Sequence, residues 1–296
     1  MRRSEMDRVL EVKNLNKSYG RFALKDVSFS LPEGCITGFI GINGAGKTTT
    51  LRSILGLAKG VSGSIRFFGM DMKGHEKQIK NRIGVVLDSD CFYEDLSLEE
   101  IKKILAPAYS SWCEQDYRSY LERFSLNPKE KIKNLSRGMK IKYSLALALS
   151  HKPELLIMDE PTSGLDPLFR NQLLELLRDY MEQGGKGVFF STHITSDLDK
   201  IADVLIMIDQ GHIVFQEDKD ALLDRYRMVK GSKENLEEVR SLLFHIHETD
   251  FGFTGMTSHI SQIQKLLPNA LLERPTVEDI MLSHTKGGMK NAAEFS

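Results

Sequence analysis

The segment at residues 39–50 constrains the fold of this chain more than any other stretch. It reads FIGINGAGKTTT and fits the pattern G-x-x-x-x-G-K-[ST] with Gly41, Gly46, Lys47 and Thr48. An apolar run precedes it and an amphipathic run follows, so a strand, a glycine loop and a helix succeed one another. Glycines permit the backbone angles that turn successive N–H groups inward, and the helix directs its positive end at the same point. The segment therefore predicts a phosphate-binding loop.

Two side chains of this loop have chemical roles of their own. A lysine at the position of Lys47 neutralises the β- and γ-phosphates of a nucleotide, and the hydroxyl of Thr48 is a ligand for Mg²⁺. The alternative interpretation is a glycine-rich turn that happens to contain a lysine. The strand before the loop and the helix after it favour phosphate binding.

Composition and charge exclude several classes of protein. The 296 residues, 41% of them hydrophobic, suffice for one large or two modest domains with packed cores. The net charge of −1 provides no overall field for nucleic acid or an acidic membrane surface. No run approaches the roughly 18 apolar residues that span a bilayer, so we expect any action on a membrane to need a partner. Cys35, Cys91 and Cys113 lack C-x-x-C spacing, which favours free thiols.

Two other apolar runs, each typical of a buried strand, end in polar side chains. The run at 155–158 leads into Asp159 and Glu160, and the run at 188–190 leads into Ser-Thr-His, ending at His193. The carboxyl ends of parallel strands form the edge at which α/β sheets bind ligands. A lone histidine at a strand end is usually structural. Because His193 is predicted at the same edge as two carboxylates and the phosphate loop, we favour a catalytic role for it.

The rest of the chain divides into parts with different periodicities. Residues 9–31 read as two strands joined by a turn, and Tyr19 lies in that turn. A helical period from about 95 to 150 predicts a mostly helical insertion, in which Ser136 occupies the N-cap position of an apolar helix. After residue 218 the composition shifts to a small α/β appendix, with a helix expected at 234–243 and a closing segment PTVEDIM.

Several segments taken together resemble the nucleotide-binding subunit of an ATP-binding cassette (ABC) transporter over residues 9 to about 215. The phosphate loop matches the Walker A motif of that family, and the run ending in Asp159 and Glu160 matches Walker B with its glutamate. SGLDP at 163–167 matches the aspartate loop, and STH matches the segment of the switch histidine. LSRGM at 135–139 resembles the signature LSGGQ, with arginine in place of glycine and methionine in place of glutamine.

The resemblance implies a definite architecture. It is an α/β fold of the P-loop NTPase type, with a RecA-like core, an antiparallel β subdomain and a helical signature subdomain. We expect an ATP-binding domain at 1–218, with the helical subdomain inserted at about 89–150. The small α/β appendix at 219–296 is expected to form an accessory domain.

The resemblance also implies ATP and Mg²⁺ as cofactors and gives individual residues their roles. Asp159 orients Mg²⁺, Glu160 is the general base for the attacking water, and His193 contacts the γ-phosphate and that water. Tyr19 stacks on adenine, although a turn aromatic judged without the resemblance packs more often on its own hairpin. The phosphates are held by side chains and amides of Asn43, Gly44, Ala45, Gly46, Lys47, Thr48 and Thr49.

In this family two subunits dock head to tail, so that each nucleotide lies between Walker A of one subunit and the signature of the other. Ser136 and Gly138 are retained in this chain and would face the γ-phosphate of the partner's nucleotide. Read without the resemblance, Ser136 caps a core helix and has no other role. Asp88 stands where the family usually has a glutamine that touches Mg²⁺ and senses the membrane partner. A shorter, charged side chain either binds the metal more strongly or fails to reach it, and both alternatives stay open.

The function implied is that of an ATP-hydrolysing subunit that drives a separate transmembrane permease from the cytoplasmic face of the cell membrane. The LSRGM variant, the C-terminal appendix and PTVEDIM resemble exporters of drugs, peptides or lipids more than importers. The partners expected are a permease and a second nucleotide-binding subunit, either a copy or a paralogue, and no nucleic acid. The alternative is a soluble ABC-type ATPase that acts as a regulatory or nucleic-acid- or ribosome-associated switch. A single Walker A, no sustained heptads and no basic patch argue against it.

Overall fold

The computed structural model describes residues 8–87 and 92–284. Asp88, predicted as a metal ligand, lies outside the described residues. The strands are β1 (Arg8–Tyr19), β2 (Phe22–Pro32), β3 (Ile36–Ile40), β4 (Ser62–Phe67), β5 (Met70–Asp71), β6 (Ile83–Val86), β7 (Leu155–Asp159), β8 (Gly187–Ser191), β9 (Val204–Asp209), β10 (His212–Asp218), β11 (Arg227–Gly231), β12 (Phe244–Glu248), β13 (Phe253–Thr257) and β14 (Leu271–Glu273). The α-helices are α1 (Lys47–Ile54), α2 (Met72–Arg82), α3 (Leu98–Leu105), α4 (Glu114–Arg123), α5 (Arg137–Leu149), α6 (Pro167–Glu182), α7 (Thr195–Ile201), α8 (Lys219–Arg225), α9 (Leu236–Val239), α10 (Ile260–Leu266) and α11 (Val277–His284).

An antiparallel sheet with the strand order β2-β1-β4-β5 forms one layer of the fold. Its first two strands make the predicted hairpin, in which Leu10 pairs with Leu31 and Tyr19 pairs with Phe22. Apolar residues at alternate positions of both strands are buried, because successive side chains of a strand point to opposite faces. The two-residue connection places the two aromatic residues together at one end of this sheet.

The central sheet has the strand order β10-β9-β3-β8-β7-β6. From β9 to β6 its strands run parallel, and β10 pairs antiparallel at one edge. Every residue of β3, β7 and β8 is buried, as expected for parallel strands that are covered on both faces. Because parallel strands end at one edge, the glycine loop after β3, Asp159 at the end of β7 and the segment after β8 are neighbours. The edge predicted from the three apolar runs is confirmed.

Three phenylalanine rings join the two sheets. Phe29 of β2, Phe39 of β3 and Phe189 of β8 are buried, and their ring centroids lie between 5.4 and 5.9 Å apart in tilted arrangements. Such contacts between aromatic rings stabilise a core beyond the burial of their area. The antiparallel sheet is thereby fixed over the strand that leads into the glycine loop.

The helical segment predicted at 95–150 is present as α3, α4 and α5. The N-cap role predicted for Ser136 is confirmed, because its Oγ accepts a hydrogen bond from the Met139 amide at 3.3 Å. On the same helix, the hydroxyl of Tyr143 donates to the Leu98 carbonyl at 2.7 Å and ties α5 to α3. Among the described helices, none combines the length and the apolar character needed to cross a bilayer.

The third sheet, with the order β12-β13-β11-β14, is antiparallel throughout. Together with α9 and α10 it makes a β-α-β-β-α-β unit, which agrees with the predicted α/β appendix. The helix predicted at 234–243 is wrong in its extent, because α9 is one turn long and 3-10 turns flank it. That single turn buries Leu236 and Val239 before the chain enters β12. Strand β14 was not predicted.

The residues after 218 share a hydrophobic core with the residues before it. Leu222, Val277 and Ile280 pack in the same cluster as Leu198 and Ile201 of α7. A second cluster lies between the third sheet and its own helices. The division into domains at residue 218 remains a prediction.

Candidate functional site

The glycine loop between β3 and α1 has the backbone that the sequence pattern predicts. Gly44 and Gly46 have φ angles of 82° and 118°, in the region that side chains disfavour. A Cβ on Gly46 would lie 2.9 Å from side-chain atoms of Leu24 and Phe22, so a larger residue would displace the hairpin. Gly46 is also the N-cap of α1. The positive end of α1 therefore points into the loop, as phosphate binding requires.

The turn between β9 and β10 contacts the backbone of this loop. The Gly211 amide donates to the Ala45 carbonyl at 2.9 Å, and the Ala45 side chain is buried. Gly211 has a φ of 81°, and a Cβ there would lie 1.9 Å from the Ala23 carbonyl oxygen. Two apolar runs separated by Asp-Gln-Gly at 204–215 predict a hairpin with its turn at this place, but this pattern does not connect the turn with the loop. The contact depends on residues more than 150 positions apart.

Lys47 is the buried cation of the loop. Its side chain is 7% exposed, and its Nζ donates to the Gly41 carbonyl at 2.7 Å. The same Nζ lies 3.7 Å from Oε1 of Glu160. Burial lowers the pKa of Lys47, and the negative charges of Glu160 and Asp159 oppose that shift. These carboxylates therefore help to keep the desolvated ammonium group of Lys47 charged.

Asp159 ends β7 directly behind the loop. Its carboxylate is buried, and Oδ1 accepts a hydrogen bond from the Ser191 hydroxyl at 2.5 Å. Within the described part of the chain, no three His, Cys, Asp or Glu side chains gather to enclose a metal. The residues nevertheless fit Mg²⁺, because this ion takes one or two protein oxygens and completes its shell with phosphate and water. Asp159 and the exposed Thr48 hydroxyl supply such oxygens.

Glu160 and His193 form a hydrogen-bonded pair at the end of β7 and β8. Nδ1 of His193 lies 2.7 Å from Oε2 of Glu160, and the His193 amide donates to the same oxygen at 3.2 Å. Since an ionised carboxylate only accepts, this contact places a proton on Nδ1. Glu160 has a φ of 50°, rare for a residue with a side chain, and its amide donates to the Ser191 carbonyl at 3.0 Å. The neighbouring strand thus holds the carboxylate in a defined direction.

These groups line one cleft with a volume of about 560 Å³. The structure brings together most of the predicted site residues and adds three that were not assigned a role: Phe22, Arg137 and Ser163. The lining consists of Phe22, Asn43, Gly44, Gly46, Lys47, Thr48, Thr49, Arg137, Glu160, Ser163 and His193. The signal for Phe22 was an aromatic residue beside the turn that also contains Tyr19. Ala45 and Asp159 are buried next to the cleft.

Tyr19 lies at the end of β1, outside the lining of the cleft. Its side chain is 49% exposed, and Nζ of Lys17 lies 4.2 Å from the centroid of its ring. An exposed ring at this end of the hairpin has room to stack on a base. The adenine contact of Tyr19 stays a prediction.

Neighbouring residues of the signature segment differ in whether they line the cleft. Ser136 is exposed at the N-terminus of α5, and neither it nor Gly138 lines the cleft of its own chain. Arg137 does line that cleft, and its Nη1 lies 3.2 Å from the position of a Cβ on Gly164. The arginine that replaces the usual glycine therefore lies beside the SGLDP loop of its own chain. The roles of Ser136 and Gly138 toward a second subunit stay predictions.

Comparisons with known proteins identify relatives of this chain. The model of the ABC transporter family matches residues 24–163. The bacitracin transport ATP-binding protein BcrA of Enterococcus faecalis is 34% identical over 75% of this chain and 73% of the relative. BcrA of Bacillus licheniformis is 32% identical over 88% of this chain and 89% of the relative. The lantibiotic transport ATP-binding protein SrtF of Streptococcus pyogenes is 33% identical over 78% of this chain and 95% of the relative.

Solved structures agree with these relatives. An ATP-binding subunit of an ABC transporter superposes with a TM-score of 0.66 and 30% identity, over 73% of this chain and 92% of that subunit. CbiO1 of Clostridium perfringens, part of the ABC transporter complex CbiONQ, superposes with a TM-score of 0.61. The superposition covers 79% of this chain and 95% of the CbiO1 chain. At 24% identity, CbiO1 supports the fold alone. The P-loop NTPase fold is confirmed, and the chain belongs to the ABC transporter family as an ATP-binding subunit and ATPase of the kind that drives a separate transmembrane permease.

Proposed function

We propose that this chain energises a permease that exports a peptide antibiotic, a related drug or a lipid. The observation that carries this proposal is the extent of the match to BcrA of Bacillus licheniformis, a bacitracin transport protein. That match spans 88% of this chain, so it continues past residue 218 into the appendix. BcrA of Enterococcus faecalis and SrtF, a lantibiotic transport protein, support the same substrate class. The soluble switch is not favoured, because these relatives are transport proteins.

Hydrolysis in this proposal depends on positioning and charge neutralisation. The loop amides, the N-terminus of α1 and Lys47 bind the phosphates. Thr48 and Asp159 hold Mg²⁺, which neutralises charge on the phosphate oxygens when it is bound. Glu160 accepts the proton of a water whose oxygen attacks the γ-phosphorus while the bond to the ADP oxygen breaks. His193 holds the Glu160 carboxylate through Nδ1, at 2.7 Å, and keeps it directed at that water.

A second nucleotide-binding subunit completes the site in this proposal. Ser136, the N-cap of α5, is exposed and lies outside the lining of the cleft of its own chain. A helix N-terminus with a capping hydroxyl favours anions, so it suits the phosphates of a partner's nucleotide. The partner is either a second copy or a paralogue. Glu160→Gln, which retains ATP, is expected to give a dimer that ATP stabilises.

The permease contact in this proposal lies beside the end of β6. A groove of about 180 Å³ between this strand and the helical segment is lined mainly by apolar and aromatic side chains. Val85 and Leu87 border it on the strand side, and Tyr109, Trp112 and Leu147 border it on the helical side. Leu87 of this lining directly precedes in sequence the position at which the family has its coupling glutamine. A permease docked here holds the chain at the cytoplasmic face of the membrane as a peripheral subunit.

The test is expression of the full chain with and without each candidate permease, followed by fractionation and a resistance assay. We expect sedimentation with membranes only when the right permease is present, together with resistance to bacitracin or to a lantibiotic. Glu160→Gln should keep the membrane association and lose the resistance. A chain that stays in the cytosolic fraction with every candidate permease would refute the transporter assignment. Membrane association with increased uptake of the drug would refute export.

A further inference from the structure

Helix α7 connects the switch histidine with the C-terminal segment. It begins at Thr195, two residues after His193. At its other end, Oδ1 of Asp199 accepts a hydrogen bond from the amide of Val277, the first residue of α11, at 3.0 Å. The Asp199 carbonyl accepts a second hydrogen bond from Nζ of Lys219 at 2.9 Å. Both donors belong to the segment after residue 218, outside the part of the chain that resembles the family's core.

Helix α11 is firmly packed where it meets α7. Val277 and Ile280 are fully buried, and they share a hydrophobic cluster with Leu198 and Ile201 of α7. The first N–H groups of a helix have no partner within it, and a negative side chain at this end stabilises the helix. Thr276 and Asp279 cap this end of α11 from within the segment. The half-buried Asp199 carboxylate adds an acceptor on α7 for the Val277 amide. Asp199 therefore adds a directional hydrogen bond to the apolar contact that holds α11 against α7.

The opposite side of α7 is held by α6. Nε of Arg170 donates to Oδ1 of the fully buried Asp197 at 2.6 Å, and its Nη2 donates to the Ser196 hydroxyl at 2.8 Å. Arg170 lies in the first turns of α6, which Asp166 caps by accepting from the Phe169 amide at 2.9 Å. Helix α7 is thus clamped between the helix that follows the SGLDP loop and α11.

The link from α7 to His193 is short and internally bonded. The Ile194 amide donates to the Thr192 hydroxyl at 2.9 Å, which restrains the turn around His193. The His193 side chain is itself 46% exposed, and its ring Nδ1 lies 2.7 Å from Oε2 of Glu160. Because a single residue, Ile194, separates His193 from α7, we expect a displacement of α7 to move the histidine.

We propose that Asp199 is a positioning residue for ATP hydrolysis, which acts through α11 and α7 to hold His193 against Glu160. The C-terminal segment then helps to hold His193 in position through its contact with α7. This inference rests on the role of His193 given under Proposed function. Asp199 does not touch the phosphate loop, so its loss is expected to change turnover and not ATP binding.

The test compares steady-state ATP hydrolysis by full-length variants. Asp199→Ala is expected to lower kcat about tenfold with an unchanged KM for ATP, since small displacements of a catalytic group cost one to two orders of magnitude. Asp199→Asn keeps an acceptor for the Val277 amide and should restore kcat to within about threefold of the unchanged chain. Hydrogen–deuterium exchange of the amides of α7 should rise in the alanine variant and return toward the original rate in the asparagine variant.

A double variant separates positioning from a general loss of structure. In a His193→Ala background, Asp199→Ala should have no further effect on kcat, because the group that it positions is gone. Equal losses in both backgrounds, or an unchanged kcat in Asp199→Ala, would overturn the inference while leaving the proposed function in place. Full activity of His193→Ala would instead remove the role of His193 itself.

The matched control is Glu273→Gln in the same C-terminal segment. It breaks the 2.6 Å ion pair with Lys230 on the third sheet and leaves α7 untouched. We expect unchanged kcat and unchanged exchange in α7. A loss of kcat equal to that of Asp199→Ala would show that any damage to this segment slows turnover, and would contradict a specific role of Asp199. If Asp199→Ala does not fold, Asp199→Asn takes its place. A loss of kcat of up to about threefold that disappears in the His193→Ala background supports the inference, and an unchanged kcat with raised exchange in α7 contradicts it.

Discussion

Replacement of Glu160 by glutamine gives the sharpest test of the site, because one carboxylate contacts both Lys47 and His193. Its Oε1 lies 3.7 Å from Nζ of Lys47, and the two side chains are 14% and 7% exposed. At that separation, the attraction of two unit charges is about 1 kcal/mol in water and about 4 kcal/mol at an effective dielectric constant of about 20. Glutamine keeps the size of the side chain and removes this attraction, together with the repulsion between Glu160 and the phosphates.

Two opposite effects are expected from Glu160→Gln. Loss of the general base should lower kcat by about 10²- to 10⁴-fold. Release of Lys47 from its carboxylate partner should tighten ATP binding at least about fivefold, the equivalent of the lower electrostatic figure of about 1 kcal/mol. Phosphate release measures the first effect, and equilibrium titration with a fluorescent ATP analogue measures the second. Sedimentation velocity with saturating ATP should show the dimer.

The control for this variant is Glu175→Gln on the exposed side of α6, which should change neither quantity. Weaker ATP binding by Glu160→Gln would refute the electrostatic reasoning, because it would mean that the carboxylate helps to hold the nucleotide. A kcat near that of the unchanged chain would refute the assignment of Glu160 as the base. Persistent monomers in saturating ATP would count against the proposed head-to-tail dimer.

Three further predictions concern the loop and the fold. Lys47→Ala should weaken ATP binding by about 10- to 100-fold or more, measured by the same titration, since it removes a buried charged donor; unchanged affinity would mean that the loop is misassigned. Gly211→Ala should cost about 2–4 kcal/mol in the free energy of urea unfolding, because its Cβ would lie 1.9 Å from the Ala23 carbonyl oxygen, and no loss would contradict this packing. Arg82, hydrogen-bonded to Glu154, holds the pKa of that carboxyl below its ordinary value, so the native state binds fewer protons and the pair's contribution is lost as pH falls. Glu154→Gln should therefore cost about 0.5–1 kcal/mol in urea unfolding near pH 7 and almost nothing near pH 3, and an equal cost at both pH values would refute the linkage.

The sequence was informative about the site where the chemistry is local. The glycine loop, the strand before it and the helix after it occupy one continuous stretch, so the pattern around Lys47 specifies both the backbone and the charge. Asp159, Glu160 and His193 were predicted at one sheet edge because buried parallel strands end together. Residues such as Phe22 were missed, since an aromatic side chain near a turn has no pattern that distinguishes a binding surface from hairpin packing.

The C-terminal segment was predicted less well for a related reason. Short amphipathic stretches indicate that strands and helices exist, yet they do not indicate their pairing. Strand β14 is three residues long, and the predicted helix at 234–243 is one α-helical turn between 3-10 turns. Tertiary contacts decide the extent of such short elements, because their intrinsic propensities are small.

The sequence by itself determined that this chain binds a nucleotide phosphate, because G-x-x-x-x-G-K-T specifies amides, a helix end and a lysine within eight residues. Its motifs, taken in order, also determined the family. Only the tertiary structure decided that Glu160 lies between Lys47 and His193, and that Gly211 supports the loop from more than 150 residues away. It also placed Asp199 against the first amide of α11. These contacts join residues that are distant along the chain. The distances between their atoms depend on how the sheets and helices pack.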